Sequence, residues 1–289
     1  MAEVWTIQKI LDWTSTYFTS KSISNARLDA ELLLANVLNC NRLDLYLQFE
    51  RILTPQERTR YREFVQRRTR REPVQYILGV TEFHGLVFEV TPDVLIPRPE
   101  TELLVETVLE NSSGLGRPPV RILDVGTGSG CIAVSLAKEN PSAEIWAVDS
   151  SPEALAVARR NAERHDVEIH FLLQDIFQPF KKKLPQFDIV VSNPPYVTAS
   201  EENVLPPEVK NYEPPEALFA AGDGLDFYRQ FIKIRPQILA SEGLFILEMG
   251  YEKANSINKL FTEQGYHTHI KNDYAHIERI IIAHTKEKS

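Results

Sequence analysis

VRILDVGTGSGCIAVSLA (Val120–Ala137) decides the fold: a short apolar strand, a glycine turn and the first turns of a helix. A ligand approaches backbone closely only where side chains are missing. The loop Gly126-Thr127-Gly128-Ser129-Gly130 supplies such a surface. A nucleotide-binding oxidoreductase is one reading of a bare glycine loop, and the spacing is against it. Dinucleotide binding wants G-x-G-x-x-G, whereas the third glycine position holds Cys131, and Asp124 just before the loop repels a pyrophosphate. A cationic ligand is welcome there instead. S-adenosylmethionine carries an ammonium and a sulfonium and no phosphate, so it fits an acid at a strand end beside bare backbone.

Outward from this unit, apolar runs alternate with helical patterns: Glu144 to Val148, His170 to Leu173, Phe187 to Ser192 and Gly243 to Glu248. That alternation predicts a mainly parallel sheet covered by helices, an α/β fold. The last two runs, His267 to Lys271 and Arg279 to His284, have no helix between them and predict an antiparallel closing pair.

Asp149 closes the second run, nineteen residues after Gly130, where a carboxylate can accept both hydroxyls of a ribose. A helix cap before Pro152 is the competing role, although Ser150 or Ser151 could perform it. Asp175, after the third run, is placed to bond an adenine amino group with the Ile176 amide nearby. The fourth run ends in Asn193-Pro194-Pro195-Tyr196, at the carboxyl edge where open α/β sheets place ligands. A planar amide or adenine nitrogen has a delocalised lone pair and must be oriented before it attacks a methyl group. The Asn193 side-chain oxygen and the Pro194 carbonyl can each accept one N–H, while the prolines stiffen the backbone and Tyr196 offers an apolar face. No strong base is required. Asn193 and Pro194 are therefore the catalytic candidates.

Upstream, residues 1–80 read as helices, with Val4, Ile7, Leu11 and then Leu28, Leu32, Ala35 at spacings of three and four. Thr54-Pro55-Gln56-Glu57 is a capping box with proline at the first helical position. It opens a helix whose surroundings, Arg51 to Arg71, hold eight arginines against Glu57 and Glu63, in a chain of net charge −8. A solvated face and a docking surface for an acidic partner, using Arg60, Arg67 and Arg71, are both open readings. Residues 81–98 read as a hairpin or extended linker turning at His84-Gly85, and 99–289 as the catalytic domain.

The 289 residues are 43% hydrophobic and 25% charged, inside the globular band, which argues against wholesale disorder and a multi-span membrane protein. The N-terminus lacks a signal-peptide core, so the cytoplasm is the expected compartment. Two cysteines, Cys40 and Cys131, are too few for a disulfide framework or a cysteine zinc site, and no metal is expected.

DVGTGSG, an acid ending the second strand and NPPY after the fourth, behind ARLDAELLLANVL and IPRPETE, together resemble the HemK/PrmC glutamine methyltransferases over nearly the whole chain. NPPY alone is shared with adenine-N6 DNA and RNA methyltransferases. IPRPETE and the N-terminal segment are the specific part. The resemblance implies a Rossmann-like class I S-adenosylmethionine-dependent methyltransferase fold with a small N-terminal helical bundle and a linking β-hairpin. It also implies methylation of the glutamine amide in the Gly-Gly-Gln motif of peptide chain release factors, docked by the N-terminal domain. The cofactor region is then Asp124, Gly126, Thr127, Gly128, Ser129, Gly130, Asp149, Asp175, Ile176 and Asn193. Asn193, Pro194, Pro195 and Tyr196 would hold the glutamine. Neither a membrane nor sequence-specific nucleic acid is expected as a partner. An adenine methyltransferase would need a base-flipping surface, and a silent binding module would not need an intact NPPY.

The family's Glu-x-Gly-x-x-Gln reads Glu248-Met249-Gly250-Tyr251-Glu252-Lys253, and its Asp-Leu-x-Gly turn reads Asp273-Tyr274-Ala275-His276. Both departures touch substrate docking more than chemistry.

Overall fold

The computed structural model describes residues 4–113, 119–180 and 183–285. In chain order the first elements are α1 (Ile7–Ser20), α2 (Ala26–Leu38), α3 (Arg42–Leu47), α4 (Pro55–Thr69), α5 (Val74–Leu78), β1 (Val80–Phe83) and β2 (Leu86–Glu89). There follow α6 (Glu102–Ser113), β3 (Arg121–Val125), α7 (Cys131–Glu139), β4 (Glu144–Asp149), α8 (Pro152–Arg164), β5 (His170–Leu173) and β6 (Phe187–Ser192). The last are α9 (Pro207–Tyr212), α10 (Pro215–Leu218), α11 (Asp226–Ile238), β7 (Leu239–Glu248), α12 (Ala254–Glu263), β8 (Tyr266–Asn272) and β9 (Glu278–Thr285). They form two compact units, Met1–Val80 with Pro206–Tyr212, and Thr81–Leu205 with Glu213–Ser289.

The first unit is a helical bundle. Ile7, Leu11, Leu33, Leu34, Tyr61 and Val65 recur at helical spacing and bury one face of each helix in a common core. Thr54 and Glu57 form the reciprocal capping box, with Pro55 at the first helical position. The basic helix α4 is not uniformly free. Arg68 is buried, bonds Asp29 of α2 at 2.7 Å and reaches Glu208 of α9 at 3.1 Å; Arg71 also holds Glu208, at 2.9 Å. Arg67 pairs with Glu72 and Arg60 lies over the Phe64 ring. Two of the three arginines read from sequence as docking contacts, Arg67 and Arg71, are thus neutralised inside their own unit. For Arg67 the partner is five residues on, one position past the basic stretch, whereas for Arg71 it arrives from 137 residues away, which a local charge count cannot register. Arg58 and Arg62 instead line a groove of about 740 Å³ with Trp5, Trp13 and Tyr17. Trp13 stacks on Tyr17, and the buried Nε of Arg58 has no hydrogen bond of normal geometry.

In the second unit, seven strands run in the order β5-β4-β3-β6-β7-β9-β8. Pairings from β5 through β7 are parallel, and β9 is antiparallel to both its neighbours. Strands with helices on both faces must be apolar on both sides, and they are: Leu123 and Val125 face one core cluster, Ile122 and Ile189 the other. The predicted closing pair is present, and β7 starts at Leu239, four residues before the predicted run. β1 and β2 form the hairpin, with both turn residues left-handed, His84 at φ 49° and Gly85 at φ 70°. The chain moves outward from β3 to β5 on one side and resumes at β6 on the other. This reversal puts the carboxyl ends of β3 and β6 side by side, Asp124 level with Val191. A crevice opens at such a switch point.

The departure at His276 has a local cost. Its φ is 62°, the left-handed region that glycine visits freely and a residue with a Cβ does not. His276→Gly is expected to raise unfolding stability by up to about 1 kcal/mol, less than the full strain because glycine gains freedom in the unfolded chain. Urea titration checks this: a lowered midpoint means that the imidazole contributes more than the backbone strain costs.

Candidate active site

A cleft lies over the carboxyl ends of β3, β4 and β6. Its wall includes Gly126, Gly128, Asp149, Asp175, Ile176, Asn193 and Pro195 from the sequence-predicted set. Gly126 (φ 72°) and Gly128 (φ 54°) are left-handed, and a Cβ on either would meet nothing within 4 Å. Their role is conformational, and they leave bare backbone. Gly130 differs: its Cβ would stand 3.0 Å from the Ala158 Cβ, so its lack of a side chain lets α7 pack against α8.

Thr127 and Ser129 are buried and brace the loop from behind instead of lining the cleft. The Thr127 hydroxyl donates to Asp124 Oδ2 at 2.7 Å, and the Ser129 carbonyl accepts from Asn161 Nδ2 at 2.8 Å. Asn161 also exchanges two bonds with the Glu89 backbone, tying the hairpin, α8 and the glycine loop together. Asp124 is fully buried beneath the loop; burial pushes its carboxyl up to about 7, and Oδ1 has no hydrogen bond of normal geometry.

Asp149 accepts from the Gly128 N–H (2.8 Å) and the Ser151 N–H (3.0 Å), while Ser151 caps α8 by accepting from Ala154. The cap therefore belongs to Ser151. A carboxylate has about four lone-pair sites, so Asp149 keeps capacity for further donors. Burial nevertheless raises its pKa. Asp175 accepts from the Phe177 N–H at 2.9 Å, an Asx turn that brings Phe177 to the cleft, where its ring meets Phe227 edge-to-face.

Pro194 and Tyr196 do not line the cleft itself. Pro194 is buried, and Tyr196 packs against Gly250, where a Cβ would come within 2.7 Å of its ring. Gly224 makes room for the Tyr196 carbonyl in the same way, at 2.9 Å. Burial pushes the Tyr196 hydroxyl up to about 12, so it stays neutral. Lys253, at the first departure position, reaches Glu201 at 3.3 Å, and Glu201 also accepts from the Thr198 backbone and hydroxyl.

Several residues of the site escape sequence reasoning. Asp93 to Leu95, Pro214, Glu216, Ala217 and Phe227 join the wall from distant segments. Thr101 accepts from Asn193 Nδ2 at 3.0 Å and donates to Glu248 at 2.7 Å. For Thr101 and Glu248 the only signal was their place in IPRPETE and in Glu248-Met249-Gly250, segments whose resemblance was visible and whose physical role was not; Asp93 to Leu95, Pro214, Glu216, Ala217 and Phe227 carried no local signal that ties them to the site.

The charge of the cleft identifies what it can hold. Its described wall carries four carboxylates, Asp93, Asp149, Asp175 and Glu216, and no lysine, arginine or histidine. Such a wall repels phosphates and attracts a cation. S-adenosylmethionine fits this set by charge and by its ribose and adenine donors.

Residues 9–79 match the family model described as PrmC N-terminal domain, and residues 99–206 match Methyltransferase small domain. A release factor glutamine methyltransferase of Geobacter sulfurreducens is 44% identical over 264 residues, 91% of this chain and 91% of its own. One from Chlorobaculum tepidum is 40% identical over 284 residues, 96% of each chain. A methyltransferase structure from Pyrococcus furiosus is 17% identical with a TM-score of 0.50, covering 70% of this chain and 90% of that one, a likeness of fold. When bound, S-adenosylmethionine supplies a methyl group made electrophilic by its sulfonium. With both of its segments matched and its sequence shared across nearly full length, this chain is a methyltransferase that uses S-adenosylmethionine and belongs to the release factor glutamine methyltransferase family.

Proposed function

We propose that this enzyme methylates the side-chain amide nitrogen of the glutamine in the Gly-Gly-Gln motif of a peptide chain release factor. The observation that carries this reading is the pairing of Asn193 Nδ2 with Thr101, which leaves Asn193 Oδ1 for the cleft as an acceptor. Asn193 Oδ1 and the Pro194 carbonyl each take one N–H of the substrate amide and turn its nitrogen toward the methyl group. The Tyr196 ring, seated over Gly250, flanks the glutamine with Pro195. No side chain needs to remove a proton before methyl transfer; the chain contributes position. Asp149 accepts the ribose hydroxyls, Asp175 and the Ile176 amide hold the adenine edge, and Asp124 with Gly126 to Gly130 receives the methionine end.

The first unit docks the release factor. Its groove offers Arg58 and Arg62, neither in an ion pair among the described residues, beside Trp13 and Tyr17, a combination suited to an acidic segment with an apolar anchor. Such a substrate places the enzyme in the cytoplasm, away from membranes; no helix among the described residues is long and apolar enough to cross one. Recognition of a specific nucleic acid sequence has no part in this reading.

Methyl-labelled S-adenosylmethionine tests it, offered with intact release factor, a short Gly-Gly-Gln peptide or unmethylated duplex DNA. Label is expected on the glutamine of the intact factor, with the peptide a poor substrate because it lacks the docking contact. Label on adenine in the DNA, or equal turnover of peptide and factor, would overturn the substrate or the docking reading respectively.

A further inference from the structure

Asn193 can only serve as an acceptor if its amide is held one way round, and the two faces of an amide are nearly equal in shape. Thr101 is the group that tells them apart. It ends the short turn Pro99–Thr101, where Pro97 and Pro99 restrict the backbone, and it is buried. A threonine hydroxyl has one proton. Here that proton goes to Glu248 Oε2 at 2.7 Å, so toward Asn193, 3.0 Å away, Thr101 can only accept. Asn193 must then present Nδ2 to Thr101 and turn Oδ1 the other way.

We propose that Glu248 and Thr101 are positioning residues that set the orientation of the Asn193 amide through this chain of directed hydrogen bonds. The proposal rests on the reading of Asn193 as substrate acceptor given above. It assigns a physical task to Thr101 of IPRPETE and to the glutamate that ends β7.

The relay works only while Glu248 can claim the threonine proton. A protonated Glu248 can donate to Thr101 Oγ1, which frees the hydroxyl proton for Asn193 Oδ1 and lets the amide turn over. Glu248 is 2% exposed, and burial pushes its carboxyl up to about 7 against the bond from Thr101. The charged groups facing it are Arg279, Arg98 and Glu100. Arg279 is paired with Asp273 and Arg98 with Glu213, so neither cation is committed to Glu248. The phenols of Tyr196 and Tyr228 and the Cys131 thiol nearby are all shifted upward and stay neutral. The Tyr228 hydroxyl donates to the Glu248 carbonyl at 2.7 Å and fixes the backbone there. Protonation near neutral pH therefore loosens Asn193, and turnover falls as pH drops through this range.

The test compares Thr101→Val, Thr101→Ser and Glu248→Gln with Asn193→Ala. Thr101→Val is expected to lower kcat on the order of ten- to a hundredfold, the effect of a misaligned reacting group, while calorimetric affinity for S-adenosylhomocysteine stays put. Thr101→Ser, which keeps the hydroxyl, restores most of the rate. In the wild type, kcat falls on the acid side of about pH 7; Glu248→Gln lowers the plateau and removes that limb. Infrared titration of the protein alone should show two buried carboxyl groups that protonate near neutral pH, Asp124 and Glu248, and Glu248→Gln should remove one of them and leave the other. If Thr101→Val does not fold, the pH profile and infrared titration of Glu248→Gln decide. Wild-type kcat and an unchanged acid limb in both variants, with Asn193→Ala inactive, overturn the relay and leave the Asn193 reading intact. Wild-type turnover in Asn193→Ala overturns both.

Discussion

Asn193→Ala is expected to cut turnover on the order of a hundredfold or more, the size of loss seen when one preorganised hydrogen-bonding group is removed from a reaction centre. The amide nitrogen of glutamine shares its lone pair with its carbonyl and attacks poorly unless it is turned toward the methyl group. Asn193 supplies one of the two acceptors that turn it. Its only side-chain bond among the described residues is to Thr101, and its side chain is partly exposed, so the variant should fold and keep its cofactor affinity. Single-turnover kinetics with S-adenosylmethionine already bound isolates the chemical step. Turnover within a few-fold of wild type, at matched folding and occupancy, removes Asn193 from the mechanism.

Asp149→Ala should weaken cofactor affinity by about 1.5 to 3 kcal/mol, the range for hydrogen bonds to a charged group. Because Ser151 caps α8, the loss does not come from a frayed helix. Asp149 does brace the glycine loop through Gly128, so part of the loss could arise from a loosened loop. A cycle against a ribose-deoxy analogue of S-adenosylhomocysteine separates the two. If the hydroxyls bond to Asp149, the analogue binds the wild type more weakly than the parent compound and the variant equally well. An analogue that loses as much affinity for the variant as for the wild type assigns Asp149 to the loop alone.

The parts of the site that were legible in the sequence are those governed by local rules. Gly126 and Gly128 announce themselves because left-handed backbone beside an open cleft leaves few alternatives. Asn193 is legible because a polar residue followed by two prolines at the end of an apolar strand marks a rigid loop at a sheet edge. The acidic character of the pocket was legible only in part. Asp149 and Asp175 follow strands in sequence, whereas Asp93 and Glu216 reach the same cleft from segments about 120 residues apart.

The charge of α4 shows the opposite failure. Eight arginines around one helix suggest a free basic surface, and the fold gives Arg68 and Arg71 a carboxylate, Glu208, that lies 137 to 140 residues away. Burying a guanidinium without a partner costs several kcal/mol, so a folded chain pairs the arginines it buries. Which ones it buries is a property of packing.

By itself, the sequence determined the alternation of strands and helices, the capped start of α4, the glycine loop and the asparagine-proline loop. Each follows from the steric limits of a few neighbouring residues and the period of apolar side chains. It takes the packing of the whole chain to bring Thr101 and Glu248, 147 residues apart, together behind Asn193, to leave Gly250 vacant for the Tyr196 ring, and to bury Asp124 under the loop. Those are consequences of sheet order, which places the ends of β3, β6 and β7 side by side. Strand order is set by the burial of both sheet faces at once, a condition on the whole chain that no local stretch of residues expresses.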